Sequence, residues 1–69
     1  MNEALIWLKE YRLAAGMTQS EVGEKAGISM KAYNCYETGR RSVKPPVAKR
    51  IAAVLGFDWV RFYSDDEQQ

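Results

Sequence analysis

Among its 69 residues the chain has no histidine and a single cysteine, Cys35. Structural zinc sites are built from several Cys and His ligands, so no metal centre is expected. One thiol cannot close an internal disulfide and fits a reducing cytoplasm. The same shortages speak against catalysis. Without histidine, a carboxylate pair at active-site spacing or a Gly-rich phosphate loop, neither an enzyme nor a cofactor is expected. No apolar run reaches the roughly 18 residues that a membrane span needs. The opening MNEALIWLKEYR has no basic stretch ahead of its apolar residues, so it does not read as a secretory signal.

Net charge is also scarce, at +1. Its distribution is uneven. Asp65, Asp66 and Glu67 lie in the last five residues, and nine acids less these three leaves six against ten Lys and Arg, or +4. The segment from Arg40 to Arg50 holds Arg40, Arg41, Lys44, Lys49 and Arg50 and no acid. Salt screens distant charges, so this local excess counts for more than the total. It reads either as a solvated face or as a contact for a polyanion.

What the chain does have is apolar content, 46% of residues, enough for a folded core. A domain this small buries only about 60% of its unfolded surface and is marginal unless well packed or dimeric. The spacing predicts helix over 2–15, with Ala4, Leu8, Tyr11 and Ala15 as its buried stripe and Gly16 as its end. Thr18 and Glu21 form a T-x-x-E capping box for a second helix, with Met17 as hydrophobic staple. Val22 and Ala26 face inward, Gly27 ends the helix at positive φ, and Ile28 is the buried residue of the turn. Ser29 caps a third helix reaching Glu37, with Ala32, Tyr33 and Tyr36 on its inner side and Gly39 as its end. RRSVK at 40–44 reads as a basic loop. Pro45 and Pro46 suit the first turn of a fourth helix, which buries Val47, Ile51, Val54 and Leu55 before Gly56. Asp58 caps a last short helix, WVRFY. The domain therefore runs over 1–63, with 64–69 as an acidic tail.

Residues 18–39 thus read as a helix-turn-helix. A helix about 10–12 Å across fits the major groove of double-stranded DNA, roughly 12 Å wide. On the outer side of helix 29–37, Lys31 can donate to guanine and Asn34 can pair with adenine. Met30 and Cys35 can meet thymine methyls or lie merely exposed. Gln19, at the start of helix 2, and Ser29 are suited to phosphate, as are Arg40, Arg41, Ser42 and Lys44. Trp59, Val60, Phe62 and Tyr63, with Trp7, either form a dimer surface or close the core.

In order and without a gap, L-x-x-Y-R at Leu8 to Arg12, GMTQSEV at Gly16 to Val22, AGIS at Ala26 to Ser29, YETGRR at Tyr36 to Arg41 and IAAVLG at Ile51 to Gly56 resemble the Cro and phage-repressor (xenobiotic-response-element type) family. GFDWVRFY is similar to the last helix of small members in phages and mobile elements. The resemblance implies an all-α, five-helix, lambda-repressor-like DNA-binding domain. It implies a sequence-specific regulator, a repressor, binding a symmetric operator as a homodimer. It places base contacts at Met30, Lys31 and Cys35, often with Asn34, and backbone contacts at Gln19 and around Arg40 to Ser42. It also implies an ion pair between Arg12 and Glu37. Small members can instead bind a protein partner, as antitoxins or as modulators of another repressor.

Two departures stand out. Gly23 occupies a position where the family usually has Ala, and in mid-helix that change costs roughly 0.5–1 kcal/mol. Met30 and Cys35 replace polar residues, leaving few hydrogen-bonding base contacts.

Overall fold

The computed structural model describes residues 4–63. In chain order these form α1 (Ile6–Ala14), α2 (Gln19–Ala26), α3 (Met30–Glu37), α4 (Pro45–Leu55) and a closing 3₁₀ helix, Trp59–Tyr63. The described residues contain no strand. The fold is all-α, and the fifth expected helix takes the tighter 3₁₀ form. The acidic tail at 64–69 and the start of the predicted first helix at 2–3 lie outside the described residues.

The first helix begins later than its sequence pattern predicts. Leu5 stands outside it at φ −91° and ψ 83°. Its N–H donates to the Glu37 carbonyl at 2.8 Å, which draws the chain toward the end of α3. Ala4 is consequently exposed, and so is Ala15 at the far end. The buried positions of α1 are Leu8 and Arg12, with Tyr11 half-buried beside them. An arginine, four residues after Leu8, thus takes the inward position expected of an apolar residue.

The remaining boundaries follow from local chemistry. Thr18 Oγ1 accepts from the Glu21 N–H at 3.1 Å, and Glu21 Oε1 accepts from the Thr18 N–H at 2.8 Å. This satisfies two of the free donors at the start of α2. Gly27, at φ 75°, ends α2 and lets the Ile28 N–H reach back to the Gly23 carbonyl at 2.8 Å. Ser29 Oγ then accepts from the Ala32 N–H at 3.0 Å and starts α3. The turn is tight enough to explain Gly23. A Cβ there would lie 3.0 Å from the Ile28 carbonyl oxygen and 3.2 Å from Ser29 backbone atoms. A side chain at position 23 would thus be crowded by the backbone of the corner, which sets a packing cost against the helix propensity that Ala would gain.

The core gathers Leu8, Val22, Ala26, Tyr33, Tyr36, Val43, Ala48, Ile51 and Leu55. Ile28, expected to be buried, is half-buried at the rim of the turn. On α4 the deepest positions are Ala48 and Ile51, while Val47 and Val54 are half-buried. Val43 is buried although its neighbours Ser42 and Lys44 are exposed. It anchors the basic loop to the core.

Candidate nucleic-acid interface

Beneath α3 lies a polar cluster centred on Glu37. Glu37 occupies the last turn of α3 and is almost wholly buried. Arg12 Nε donates to Glu37 Oε2 at 2.7 Å, and Arg12 Nη2 reaches Oε1 at 3.4 Å. Tyr33, one turn earlier, donates its hydroxyl to Oε2 at 2.8 Å. Gln19 Nε2, from the first turn of α2, donates to Oε1 at 3.0 Å. Arg12 Nη1 also donates to the Met17 carbonyl at 3.0 Å, which ties the α1–α2 link to the same cluster. A single carboxylate therefore joins α1, α2 and α3.

The charges at this cluster are mutually stabilised. Burial alone would push the Glu37 carboxyl up, but donation from Arg12, Gln19 and Tyr33 and the nearby guanidinium charge outweigh it. The net position is below the ordinary value. The hydrogen bond to Glu37 raises Arg12, against the opposing effect of burial. Burial and the hydrogen bond to the carboxylate both hold the Tyr33 phenol well above its usual range. Glu37 and Arg12 thus form a charged pair, and no buried side-chain N or O atom among the described residues lacks a partner.

Above this cluster lies the solvent side of α3. Met30 is 52% exposed, Lys31 is exposed, and Asn34 and Cys35 are half-buried one turn further on. The Cys35 thiol is free. Asn34 Nδ2 donates to Gln19 Oε1 at 3.2 Å, so these two expected contact residues are bonded to each other. Ser29 is exposed but its hydroxyl is already engaged as the cap of α3.

Gly39, at φ 78°, reverses the chain after α3. Its N–H donates to the Tyr36 carbonyl at 3.3 Å, and the Arg40 N–H donates to Cys35 at 2.9 Å, the paired bonds of a Schellman motif. The motif brings Arg40, Arg41 and Ser42 to the C-terminal end of the exposed α3 side, all three exposed, with Lys44 just beyond. The Arg41 guanidinium lies 6.0 Å from the centre of the Tyr36 ring. This cationic edge borders the face formed by Met30, Lys31, Asn34 and Cys35.

The aromatic residues near the chain ends form a separate group. Trp7 packs edge-on against Phe57 at 5.3 Å and against Phe62 at 5.2 Å, and Tyr11 lies 4.8 Å from Phe57 between ring centres. The Arg61 guanidinium covers Trp7 at 4.7 Å. Trp7 and Phe62 are thus half-buried partners within one chain. Trp59 is half-buried beneath the Lys49 ammonium at 5.0 Å. Val60 and Tyr63 are the exposed members, at 46% and 45%. The Tyr63 hydroxyl donates to the Val43 carbonyl, so the 3₁₀ helix is pinned to the basic loop.

Sequence reasoning missed three contributors. Phe57, given no packing role by the sequence, is the ring shared by Trp7, Tyr11 and Phe62. The Tyr33 hydroxyl bond was legible in principle, since Tyr33 and Glu37 are four apart on one helix and so neighbours on its surface. The Asn34–Gln19 bond spans fifteen positions and has no local signal.

A family model described as helix-turn-helix matches residues 8–62, which includes all four α-helices but the first two residues of α1. The chain belongs to the helix-turn-helix family. It is 44% identical over 59 residues to "Uncharacterized HTH-type transcriptional regulator YqaF" of Bacillus subtilis (strain 168), covering 86% of this chain and 78% of that protein. It is 37% identical over 49 residues to an "Uncharacterized HTH-type transcriptional regulator" of Methanothermobacter thermautotrophicus, covering 71% of each. No solved structure matches the chain significantly. Among the described residues of this helix-turn-helix protein, no helix is long and apolar enough to cross a membrane. Nor do they hold a group of three or more His, Cys, Asp or Glu that could bind a metal ion.

Proposed function

We propose that this chain is a sequence-specific DNA-binding transcriptional regulator, acting as a repressor, that inserts α3 into the major groove. The observation that carries the reading is the joined surface of α3 and the following loop. On α3 Met30 and Lys31 are exposed and Asn34 and Cys35 half-buried, and the chain then leads into exposed Arg40, Arg41, Ser42 and Lys44. Base edges need donors, acceptors and apolar contacts at the first, and phosphates need cations beside it. The transcriptional-regulator names of both relatives agree with this assignment.

The roles divide by reach. Lys31 donates to guanine O6 or N7. Met30 and Cys35 meet thymine methyl groups. Arg40, Arg41 and Lys44 neutralise phosphates, and Ser29 and Ser42 lie close to the backbone path. Gln19 is at the α2 N-terminus, where the helix dipole favours a phosphate. The regulator acts as a homodimer whose two α3 helices sit about 34 Å apart on one face of the duplex. Val60 and Tyr63, with the uncovered edges of Trp59, Trp7 and Phe62, provide the apolar contact between copies.

The test is selection of bound duplexes from a random pool by the purified chain at physiological salt. A symmetric motif with half-sites one helical turn apart is expected. Binding without an enriched motif would overturn sequence-specific reading. A monomer by sedimentation at tens of micromolar, with and without the selected duplex, would overturn the dimer.

A further inference from the structure

The amides of Gln19 and Asn34 are not free to turn. Ionised Glu37 can only accept hydrogen bonds. Gln19 must therefore present its Nε2 to Glu37, at 3.0 Å, which turns its Oε1 toward α3. Asn34 must in turn present its Nδ2 to that oxygen, at 3.2 Å. Flipping either amide would set acceptor against acceptor or donor against donor. The polarity of the chain Glu37–Gln19–Asn34 is thus dictated from its buried end. Among the described residues the Asn34 Oδ1 has no hydrogen-bonding partner, and it belongs to a half-buried side chain on the exposed side of α3.

Resting on the DNA-reading role of α3, we propose that Asn34 reads its base as an acceptor. Its Oδ1 takes an exocyclic amino group, and Gln19 is the positioning residue that holds this polarity without touching a base. Adenine satisfies it best, since N6–H meets Oδ1 while the second Nδ2 proton can reach N7. Cytosine offers only N4–H. Guanine and thymine present O6 and O4 there and leave Oδ1 unpaired in a desolvated groove, which is costly. Gln19 then acts on base preference and not only on backbone affinity, although it sits on the bracing helix.

The experiment is duplex selection from a random pool with the full chain and two variants, scored position by position. Wild type should show one column preferring adenine, then cytosine, on one strand. Asn34→Ala leaves the Gln19–Glu37 bond in place and should flatten that column alone. Gln19→Met keeps the side-chain length but removes both bonds. It should weaken the same column roughly fivefold, as expected for one lost positioning hydrogen bond, while the Lys31-dependent column stays intact. If Gln19→Met only lowers affinity equally for all sequences, Gln19 is a phosphate contact and the positioning role fails. A guanine or thymine column at Asn34, or an Asn34→Ala motif identical to wild type, overturns the acceptor assignment. Absence of any motif with wild type would instead overturn the DNA-reading function on which the assignment rests.

Discussion

Around Glu37, Arg12, Gln19 and Tyr33 converge on two carboxylate oxygens through directed bonds. Around Phe57, Trp7, Tyr11 and Phe62 converge through ring faces and edges. Helix α1 serves both groups, with Arg12 in the first and Trp7 and Tyr11 in the second. The first group holds α3 by geometry, since a hydrogen bond weakens steeply with angle and distance. The second holds α4 and the 3₁₀ helix by area, which tolerates small shifts. The comparison teaches why the two sit where they do. Under the proposed function, a helix that reads base edges needs a fixed orientation, whereas a surface proposed to meet another copy can adapt.

The largest expected effect is on the polar group. Glu37→Ala leaves the Arg12 guanidinium buried without its counter-charge, with only the Met17 carbonyl still accepting from it, and should lower stability by roughly 3–5 kcal/mol in chemical denaturation. A domain of this size has little more than that to lose. Unchanged melting would show that the pair is not structural and erase the contrast. The same carboxylate sets an acid limit. Its folded pKa lies below its ordinary value of 4.5, so its stabilisation is complete above that pH and drains as pH falls through the folded pKa. Glu37→Gln should flatten this acid limb in a pH series of melts. A limb as steep as wild type would assign the loss to other carboxylates.

The ring group should be more forgiving. Phe57→Ala removes the shared ring from a half-buried site and should cost about 2 kcal/mol, less than full core truncation. Phe57→Leu should recover more than half of that, because area and not direction is at stake. If Leu were as damaging as Ala, the rings would be as orientation-sensitive as the polar group.

Gly23→Ala separates two opposing effects. Helix propensity alone would stabilise α2 by roughly 0.5–1 kcal/mol. The 3.0 Å approach to the Ile28 carbonyl opposes it with backbone that yields poorly. A net loss of about 1 kcal/mol is expected by denaturation. A gain would mean that the corner can open. The smallest expected change is at the cationic edge. Arg40→Ala should leave melting unchanged and reduce the salt slope of DNA binding by about one, uniformly across sequences. A sequence-dependent loss would move Arg40 from phosphate to base.

How far the sequence was legible depended on how local each cause was. Thr18 with Glu21, Ser29 before α3, Pro45 with Pro46 and the glycines at 27 and 39 act within a few residues of themselves. Their spacing alone places the helices and the turn. Leu5 breaks that pattern because its N–H answers to a carbonyl on α3. Val43 looked like loop because its neighbours are polar and exposed, and only packing buries it. Phe57 carried no local signal, because its ring partners Trp7, Tyr11 and Phe62 come from both ends of the chain.

By itself the sequence determined an all-α helix-turn-helix, its caps and its cationic loop, because capping and helical periodicity are short-range. The tertiary structure alone decided that Trp7 and Phe62 face Phe57, that Gly23 closes a corner, and that Asn34 is bonded to Gln19. Those contacts join residues far apart in the chain, and amide polarity follows from the Glu37 carboxylate, which can only accept.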